Sequence, residues 1–195
     1  MEQHTIDRVR RILSRSRKGT VDDPSLTPAA VMVLVYPKDG QLCVLLNRRS
    51  QSVAEHKGEI SFPGGRSEDG DGTPVDTALR ETYEEMGVRP EDVEVLGELD
   101  DTATSSSYVI SPVVGTIPQS YDFKPDEREV AEVIEIPLEE LTAPGALRQE
   151  ARIVNDDVVV RPAYAYQGHL VYGATASLLA RLLELLDDAG DEEAH

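Results

Sequence analysis

Hydrophobic residues along this chain fall into short, strand-length runs that alternate with segments of helical periodicity. The runs at residues 29–36 and 42–47 flank a Pro-Lys-Asp-Gly turn at 37–40, which predicts a β-hairpin. Further strands are predicted at residues 59–62, 93–99, 109–118, 131–136, 153–154 and 158–166. Because isolated helices interrupt these strands, the pattern predicts an α+β or α/β sandwich with a mixed β-sheet between helices.

Helical periodicity near both ends of the chain predicts packing helices. Residues 1–20 predict a basic amphipathic helix whose apolar side chains pack on the body of the protein: Ile6, Val9, Ile12 and Leu13. A leucine-rich segment predicts a final helix at 174–186, and a shorter helix is predicted at 138–141. Residues 21–186 are expected to form one domain, and the acidic tail, 187–195, is expected to be disordered.

A further helix is predicted after a Gly-Gly turn at residues 64–65, and both of its ends are marked by the sequence. Thr73 is a suitable N-cap, and Pro74 occupies the first helical position, where a missing N–H does no harm. Asp76 stands three residues after the cap, as in a capping box. Gly87 predicts the end of the helix.

The faces of this helix predict a cluster of carboxylates beside a core-facing stripe. The stripe is predicted to consist of Val75, Leu79, Thr82, Tyr83 and Met86. Glu81, Glu84 and Glu85 are expected to share another side, since residues three and four apart are neighbours on a helix. Oxygen-preferring Mg²⁺ or Mn²⁺ would relieve their mutual repulsion, and Arg80 stands four residues before Glu84, where it can pair with it. A solvated acidic surface is the alternative, which the Gly-Gly turn and the capped helix make less attractive.

The segment FPGGRSEDGDGTPVDTALRETYEEMGV, residues 62–88, resembles the Nudix box, G(x5)E(x7)REUxEExGU, in which U is aliphatic. Thr82 takes the first U position, and Asp71 stands where the box has its first Glu. The segment between Gly65 and Arg80 is one residue longer than usual. The matching residues are Arg80, Glu81, Glu84, Glu85, Gly87 and Val88.

The upstream segment LLNRRSQSVAEHKGEISFPGG, residues 45–65, resembles the signature of the coenzyme A pyrophosphatase branch, approximately LLTxRSxxxRxxxGxxxFPGG. Asn47 stands in place of its Thr, and Ala54 in place of its second Arg. The longer box is shared with this branch, and residues 172–176, YGATA, resemble its WGxTA segment. The matching residues are Leu45, Leu46, Arg49, Ser50, Gly58, Phe62, Pro63, Gly64 and Gly65.

The resemblance implies a Nudix α/β/α sandwich and a hydrolase that uses Mg²⁺ or Mn²⁺ to cleave a pyrophosphate bond. It implies metal ligation by Glu81, Glu85, Glu84 and the Gly65 carbonyl, with the first two as the most regular ligands. The expected catalytic residues are Glu84, Glu85, Arg80 and Glu129, where Glu129 is a candidate general base on a later segment, as is Glu132.

Positive residues beside the motif are candidates to meet the phosphates of a nucleotide. Arg49 is the best of them because the branch signature includes it, and Ser50 belongs to the same match. Arg48 and Arg66 are also predicted to bind substrate, with scattered surface cations as the alternative reading. Lys57 and His56 are weaker candidates of the same kind.

Composition limits the partners. The net charge of −18 argues against nucleic acid, which requires a positive surface. No apolar run is long enough to span a bilayer, and the charged N-terminus does not resemble a signal peptide. The basic residues 1–20 could still contact an anionic partner, although packing on the body is the expectation.

Cys43 is the single cysteine, which excludes an internal disulfide and favours the cytoplasm. The expected partner is a small CoA-like nucleotide, and the sequence also allows a homodimer.

Three functions remain open from sequence. The branch resemblance implies hydrolysis of CoA or its thioesters to 3′,5′-ADP and a phosphopantetheine product. Asn47 and Ala54 leave room for a Nudix pyrophosphatase that acts on ADP-ribose, a dinucleotide or a nucleoside triphosphate. A catalytically silent nucleotide-binding module is the third, and the intact glutamates Glu81, Glu84 and Glu85 argue against it.

Overall fold

A computed structural model describes residues 2–52, 56–154 and 157–191 of the chain. Its helices are α1 Glu2–Arg15, α2 Pro74–Met86, α3 Leu138–Thr142 and α4 Gly173–Asp191, with a 3-10 turn at Pro90–Asp92. Its strands are β1 Thr27–Lys38, β2 Gln41–Arg49, β3 Ile60–Ser61, β4 Gly64–Arg66, β5 Glu94–Glu98, β6 Thr102–Ala103, β7 Tyr108–Thr116, β8 Val130–Pro137, β9 Leu147–Val154, β10 Asp157–Tyr166 and β11 His169–Val171.

A mixed sheet forms the centre of the fold. Its main path runs β3-β2-β1-β7-β5, and β4, β6 and β8 pair with β1, β7 and β2. β1 is parallel to β7 and antiparallel to β2. The predicted hairpin is confirmed, and its turn residues Asp39 and Gly40 both have positive φ, of 51° and 82°, as a twisted two-residue hairpin turn requires.

Helices cover both faces of this sheet, which confirms the predicted α+β sandwich. Alternate residues of β1 point to opposite faces. Met32 and Leu34 pack in the cluster that contains Ala78 and Met86 of α2. On the other face, Val33 and Val35 pack in the cluster formed with α1 and α4, through Ile6, Val9, Leu13, Leu178, Leu179 and Leu182. A second, three-stranded sheet, β11-β10-β9, packs against α4.

The terminal helices agree with the sequence in packing and differ in extent. Ile6, Val9 and Leu13 are buried as predicted, and Ile12 is half-buried. Helix α4 continues to Asp191, so residues 187–191 of the predicted tail are helical. Residues 192–195 lie outside the described part of the chain. Cys43 is buried, as expected for a small core residue. Within the described ranges, no helix is both long and apolar enough to cross a membrane.

Four strands, β4, β6, β9 and β11, depart from the predicted pattern, and β6 has only two residues and so forms no pattern. The predicted Gly-Gly turn is strand β4, which pairs with β1. Two residues without side chains show none of the alternation that marks a strand, and at Gly64 the close approach of β1 requires glycine. A Cβ on Gly64 would lie 2.7 Å from the Cα of Val31. Strand β9 is longer than the predicted residues 153–154, and the prediction was too short because polar residues interrupt the apolar pattern of this strand. Strand β11 has too few residues to form a pattern.

Candidate active site

Helix α2 begins and ends where its capping residues predict. The Asp76 amide donates to Thr73 Oγ1 at 3.2 Å, and the Thr73 hydroxyl donates to the Asp76 carboxylate at 2.7 Å. Gly87 adopts the left-handed conformation, with φ of 69°, and its amide donates to the carbonyl of Tyr83. Local chemistry therefore fixes the register of the helix that carries the glutamates.

The buried face of α2 differs from the predicted apolar stripe. Tyr83 is 53% exposed, while Glu85 is 2% exposed. Ala78, Thr82 and Glu85 recur four and three residues apart and therefore share the inner face. The prediction that all three glutamates face away from the core is thus wrong for Glu85, because apolarity alone does not identify the inward side when a carboxylate has polar partners inside.

Glu85 lies among donors on two neighbouring strands. Its Oε2 accepts from Asn47 Nδ2 at 2.9 Å and from the Gly64 amide at 3.2 Å. Its Oε1 accepts from Arg49 Nη1 at 3.3 Å. Burial, with a smaller contribution from the charge of Glu81, raises the pKa of Glu85 to about 7 despite the opposing effect of Arg49. The Glu85 carboxylate is therefore a buried group that a cation would stabilise in its charged form.

Glu81, one turn earlier, lies directly over Gly65. A Cβ on Gly65 would stand 2.6 Å from Cδ of Glu81, so only glycine leaves room for this carboxylate. Burial also raises the pKa of Glu81, against the lowering effect of Arg80. Glu81 and Glu85 thus lie against adjacent glycines of β4, Gly65 and Gly64, and burial raises the pKa of both carboxylates.

Arg80 connects the remaining carboxylates of the motif. Its Nη1 donates to Glu84 Oε2 at 3.0 Å, which confirms the predicted pair, and to Glu81 Oε1 at 2.9 Å. Asp71 accepts from Arg80 Nε at 3.1 Å and from Nη2 at 3.0 Å, and this pairing holds the pKa of Asp71 well below its usual range. Asp71, at the position of the first Glu of the box, therefore orients Arg80.

The three glutamates do not converge on one point. Within the described residues, no three His, Cys, Asp or Glu side chains form a ready metal cluster. Glu85 points inward, and Glu84 is 54% exposed and bound to Arg80. Glu81 and Glu85 fit a divalent cation better than the full set does, because both are hard oxygen donors that burial leaves short of neutralising charge.

The other predicted residues occupy varied positions. Glu129 is exposed, and its charge contributes to the raised pKa of Glu81, which places it on the same side of the site. Ser50 is buried, and its hydroxyl accepts from the Ser52 amide at 3.1 Å. Arg48 pairs instead with Glu132, at 3.0 Å. The departure from the branch signature at Ala54 lies outside the described residues.

A cavity of about 350 Å³ adjoins the glutamates at β4, since Gly64 and Gly65 line it. Predicted residues Arg49 and Arg66 also line it, and the Arg66 guanidinium stacks 5.2 Å from the centre of the Tyr108 ring and donates to its hydroxyl. Residues of the segment that resembles WGxTA contribute from the start of α4. The lining that no sequence pattern predicted comprises Arg161, Tyr108 and the run Thr102, Ala103, Thr104, Ser105 and Ser106.

Comparison with known proteins identifies the family of this chain. The family model of the NUDIX domain matches residues 26–158. An uncharacterized Nudix hydrolase, NudL, of Pectobacterium atrosepticum is 37% identical over 176 residues, covering 85% of this chain and 88% of the relative. NudL of Photorhabdus laumondii is 35% identical over 159 residues, covering 80% and 83%.

Solved structures share the fold at lower identity. The crystal structure of a Nudix hydrolase from M. smegmatis, RenU, superposes with a TM-score of 0.57 at 20% identity, over 83% of this chain and 86% of that chain. DR0079 from Deinococcus radiodurans gives 0.52 at 18% identity, over 82% and 86%. Both likenesses concern the fold. With the family match and the curated relatives, they establish that the chain belongs to the Nudix hydrolases, enzymes that act on pyrophosphate bonds and generally use divalent metal ions.

Proposed function

We propose that this protein is an Mg²⁺- or Mn²⁺-dependent pyrophosphatase of CoA or CoA thioesters, giving 3′,5′-ADP and a phosphopantetheine product. The observation that carries the proposal is the junction at Gly64 and Gly65, where a cavity lined by arginines meets the buried carboxylate of Glu85 and the half-buried carboxylate of Glu81. A diphosphate in the cavity would thus lie beside the groups able to hold a divalent cation.

Glu81 and Glu85 would hold the metal, with Glu84 and the Gly65 carbonyl as further ligands. When bound, Mg²⁺ or Mn²⁺ neutralises charge on the diphosphate and lowers the pKa of water. Asn47 and the Gly64 amide orient Glu85 by their hydrogen bonds. Arg80, held by Asp71, positions Glu81 and Glu84. Either Glu84 or Glu129 would accept the proton of the attacking water, since both carboxylates are exposed to solvent.

Arg49 and Arg66 are the proposed phosphate contacts, and Ser50 would act through the backbone turn that follows β2. Arg49 has a buried Nε–H without a hydrogen-bond partner among the described residues, so its donor capacity is only partly used. Arg66 and Tyr108 present a stacked guanidinium and ring to the cavity, a surface suited to a base. Arg48 is the weakest of the predicted contacts because it is paired with Glu132.

The CoA assignment draws on the resemblance over residues 45–65 and 172–176, segments that both contribute to the cavity. Asn47, one of the two departures, donates to Glu85 and is buried. The Asn47 side chain therefore orients a proposed metal ligand. Because it contacts Glu85 and does not line the cavity, its departure from the signature weighs little against CoA as the substrate. ADP-ribose, a dinucleotide or a nucleoside triphosphate remains the alternative substrate.

A substrate panel tests the proposal. Initial rates with CoA, acetyl-CoA, ADP-ribose, a diadenosine polyphosphate and a nucleoside triphosphate, each with Mg²⁺ and with Mn²⁺, should show the highest kcat/KM for CoA or its thioester. A clear preference for another compound would discard CoA and keep the pyrophosphatase. No turnover of any compound, with binding retained, would support the silent module.

We also propose that the chain forms a homodimer through the β9–β10 hairpin. Ile153 and Val158 are register partners, 77% and 69% exposed, and Val160 on the same face is 53% exposed. The alternate residues that share this face of β9 carry no charge, namely Leu147, Gln149, Ala151 and Ile153. Two copies of a chain with net charge −18 repel each other, so a second copy can approach most readily at an uncharged, apolar face.

Light scattering after size exclusion measures the oligomeric state directly. The wild-type chain should elute as a dimer and Val160→Asp as a folded monomer. A monomeric wild type at about 100 μM, far above typical dimer dissociation constants, would remove the dimer.

A further inference from the structure

The cavity beside the glutamates is positively lined in a strongly acidic protein. Arg49, Arg66 and Arg161 all line it, together with His56, while the acidic residue of its lining, Glu59, is paired with His56 at 2.9 Å. The whole chain has 37 acidic against 19 basic residues of the Lys and Arg type. Such a local excess of arginine concentrates anionic ligands against the repulsion of the remaining surface.

The three arginines come from different parts of the fold. Arg49 ends β2 and contacts Glu85, and Arg66 ends β4 directly after Gly65, so both belong to the sheet against which α2 packs. Arg161 comes from β10 in the second sheet, which packs against α4, whereas α2 packs against β1 and β4. Arg161 is therefore attached to a part of the protein separate from the carboxylates.

Arg161 is exposed, and within the described ranges no ion pair or hydrogen bond occupies its guanidinium. Its register partner on β9 is Glu150, yet no contact between the two side chains neutralises it. The cavity wall next to Arg161 includes Gly173, Ala174 and Thr175, the first residues of α4. Amide groups at the start of a long helix add a favourable environment for an anion, although Arg161 supplies the charge.

We propose that Arg161 is a specificity-determining residue that binds a phosphate monoester of the substrate at a distance from the scissile diphosphate. The inference rests on the proposed function, and it narrows the substrate to nucleotide diphosphates with an additional phosphate. In CoA this group is the 3′-phosphate, which ADP-ribose and 3′-dephospho-CoA lack. A guanidinium recognises such a group through paired N–H donors, which an ammonium cannot reproduce.

Paired substrates test this role. With wild-type enzyme and Mg²⁺, kcat/KM should be higher for CoA than for 3′-dephospho-CoA. Arg161→Ala should lower kcat/KM for CoA about tenfold, mainly through KM, and change that for 3′-dephospho-CoA by less than about twofold, since only CoA loses a charged, hydrogen-bonded contact. Arg161→Lys should retain part of the preference. Arg148→Ala, on the same hairpin but outside the cavity lining, is the matched control and should leave both substrates unchanged.

An equal loss for both substrates, or no loss for either, overturns the role of Arg161. Failure of the CoA assignment gives a different result, since neither CoA compound would be hydrolysed while another diphosphate was. The same variants are then compared on ADP-ribose and 2′-phospho-ADP-ribose, which also differ by one phosphate monoester. A preference for the phosphorylated member that Arg161→Ala removes supports the inference, and its absence from the wild type overturns it.

Discussion

The carboxylates of α2 and the arginines of the cavity meet at β4 but are built in opposite ways. Glu81 and Glu85 stand one helical turn apart, and burial has raised the pKa of both. Arg66 and Arg161 come from distant segments and are exposed to solvent. In the proposed function, the carboxylates that would attract the cation are shielded from water and held by neighbouring side chains, whereas Arg66 and Arg161, which would bind the anion, stay open to solvent. Substitutions in the first region should affect turnover and pH dependence, and those in the second should affect affinity.

The largest expected effect comes from removing the buried charge on α2. Glu85→Gln keeps an oxygen for Asn47 and the Gly64 amide but loses the charge, so Mg²⁺-dependent kcat should fall about 1,000-fold, or roughly 4 kcal/mol. Glu91→Gln is the control, since it removes an exposed carboxylate just after α2 that has no part in the proposed site, and it should leave turnover unchanged. Steady-state rates and circular dichroism measure both variants. Near-normal turnover in a folded Glu85→Gln protein would contradict the assignment.

The same residue predicts a pH dependence of stability. Since the pKa of Glu85 is raised from 4.5 to about 7 in the folded protein, the folded state binds more protons than the unfolded chain between these values. Without metal, the free energy of unfolding should therefore decrease as pH rises from 4.5 to 7, by as much as about 3 kcal/mol. Denaturant titrations at pH 5 and pH 7.5 measure the change. The Glu85→Gln protein should not show this decrease in the free energy of unfolding. Added Mg²⁺ should restore the stability of the wild-type protein at pH 7.5. An equal slope in both proteins would contradict the burial of a titrating carboxylate.

Adjacent glycines separate function from folding. In Gly65→Ala the new methyl displaces the end of the flexible Glu81 side chain, so kcat should fall about tenfold with little change in stability. In Gly64→Ala the methyl meets the backbone of Ala30 and Val31, which cannot move aside, and stability should drop by about 2 kcal/mol. Thermal unfolding and initial rates compare the two. Loss of stability in Gly65→Ala without loss of rate would contradict the placement of Glu81.

The smallest expected effect lies at the start of α2. Thr73→Ala removes the side-chain acceptor of the Asp76 amide and should cost about 1 kcal/mol of stability, because an N-cap bond is lost. The KM for substrate should stay unchanged, since Thr73 does not belong to the lining of the cavity. Thr73→Ser is the control and should retain most of the stability. A changed KM would show that the helix end and the cavity are coupled.

The sequence predicted the parts of the site that local chemistry determines. Thr73 and Gly87 identified the ends of α2, because capping depends on residues within one turn. The inward position of Glu85 was not predictable from apolarity, since it depends on Asn47 and Gly64, which lie far away in the sequence. Long-range pairing decides which polar side chain is accommodated inside.

Among the residues that line the cavity, the sequence predicted a binding role only for those in or beside a family motif. Arg49 and Arg66 adjoin the motif, and residues 172–176 resemble a branch segment. Arg161 sits in a valine-rich run that indicates a strand and gives no sign of a ligand site. Residues 102–106 likewise form no local pattern that indicates a site, and pairing of β6 with β7 brings this segment to the cavity.

Anomalous diffraction from crystals soaked in Mn²⁺ tests the central claim, that Glu81 and Glu85 hold a divalent cation against β4. The account predicts an anomalous peak within about 2.3 Å of oxygen atoms from both carboxylates, the distance expected for hard cations and oxygen ligands. Well-ordered Glu81 and Glu85 side chains with no peak between them, at a Mn²⁺ concentration that supports turnover, would contradict it.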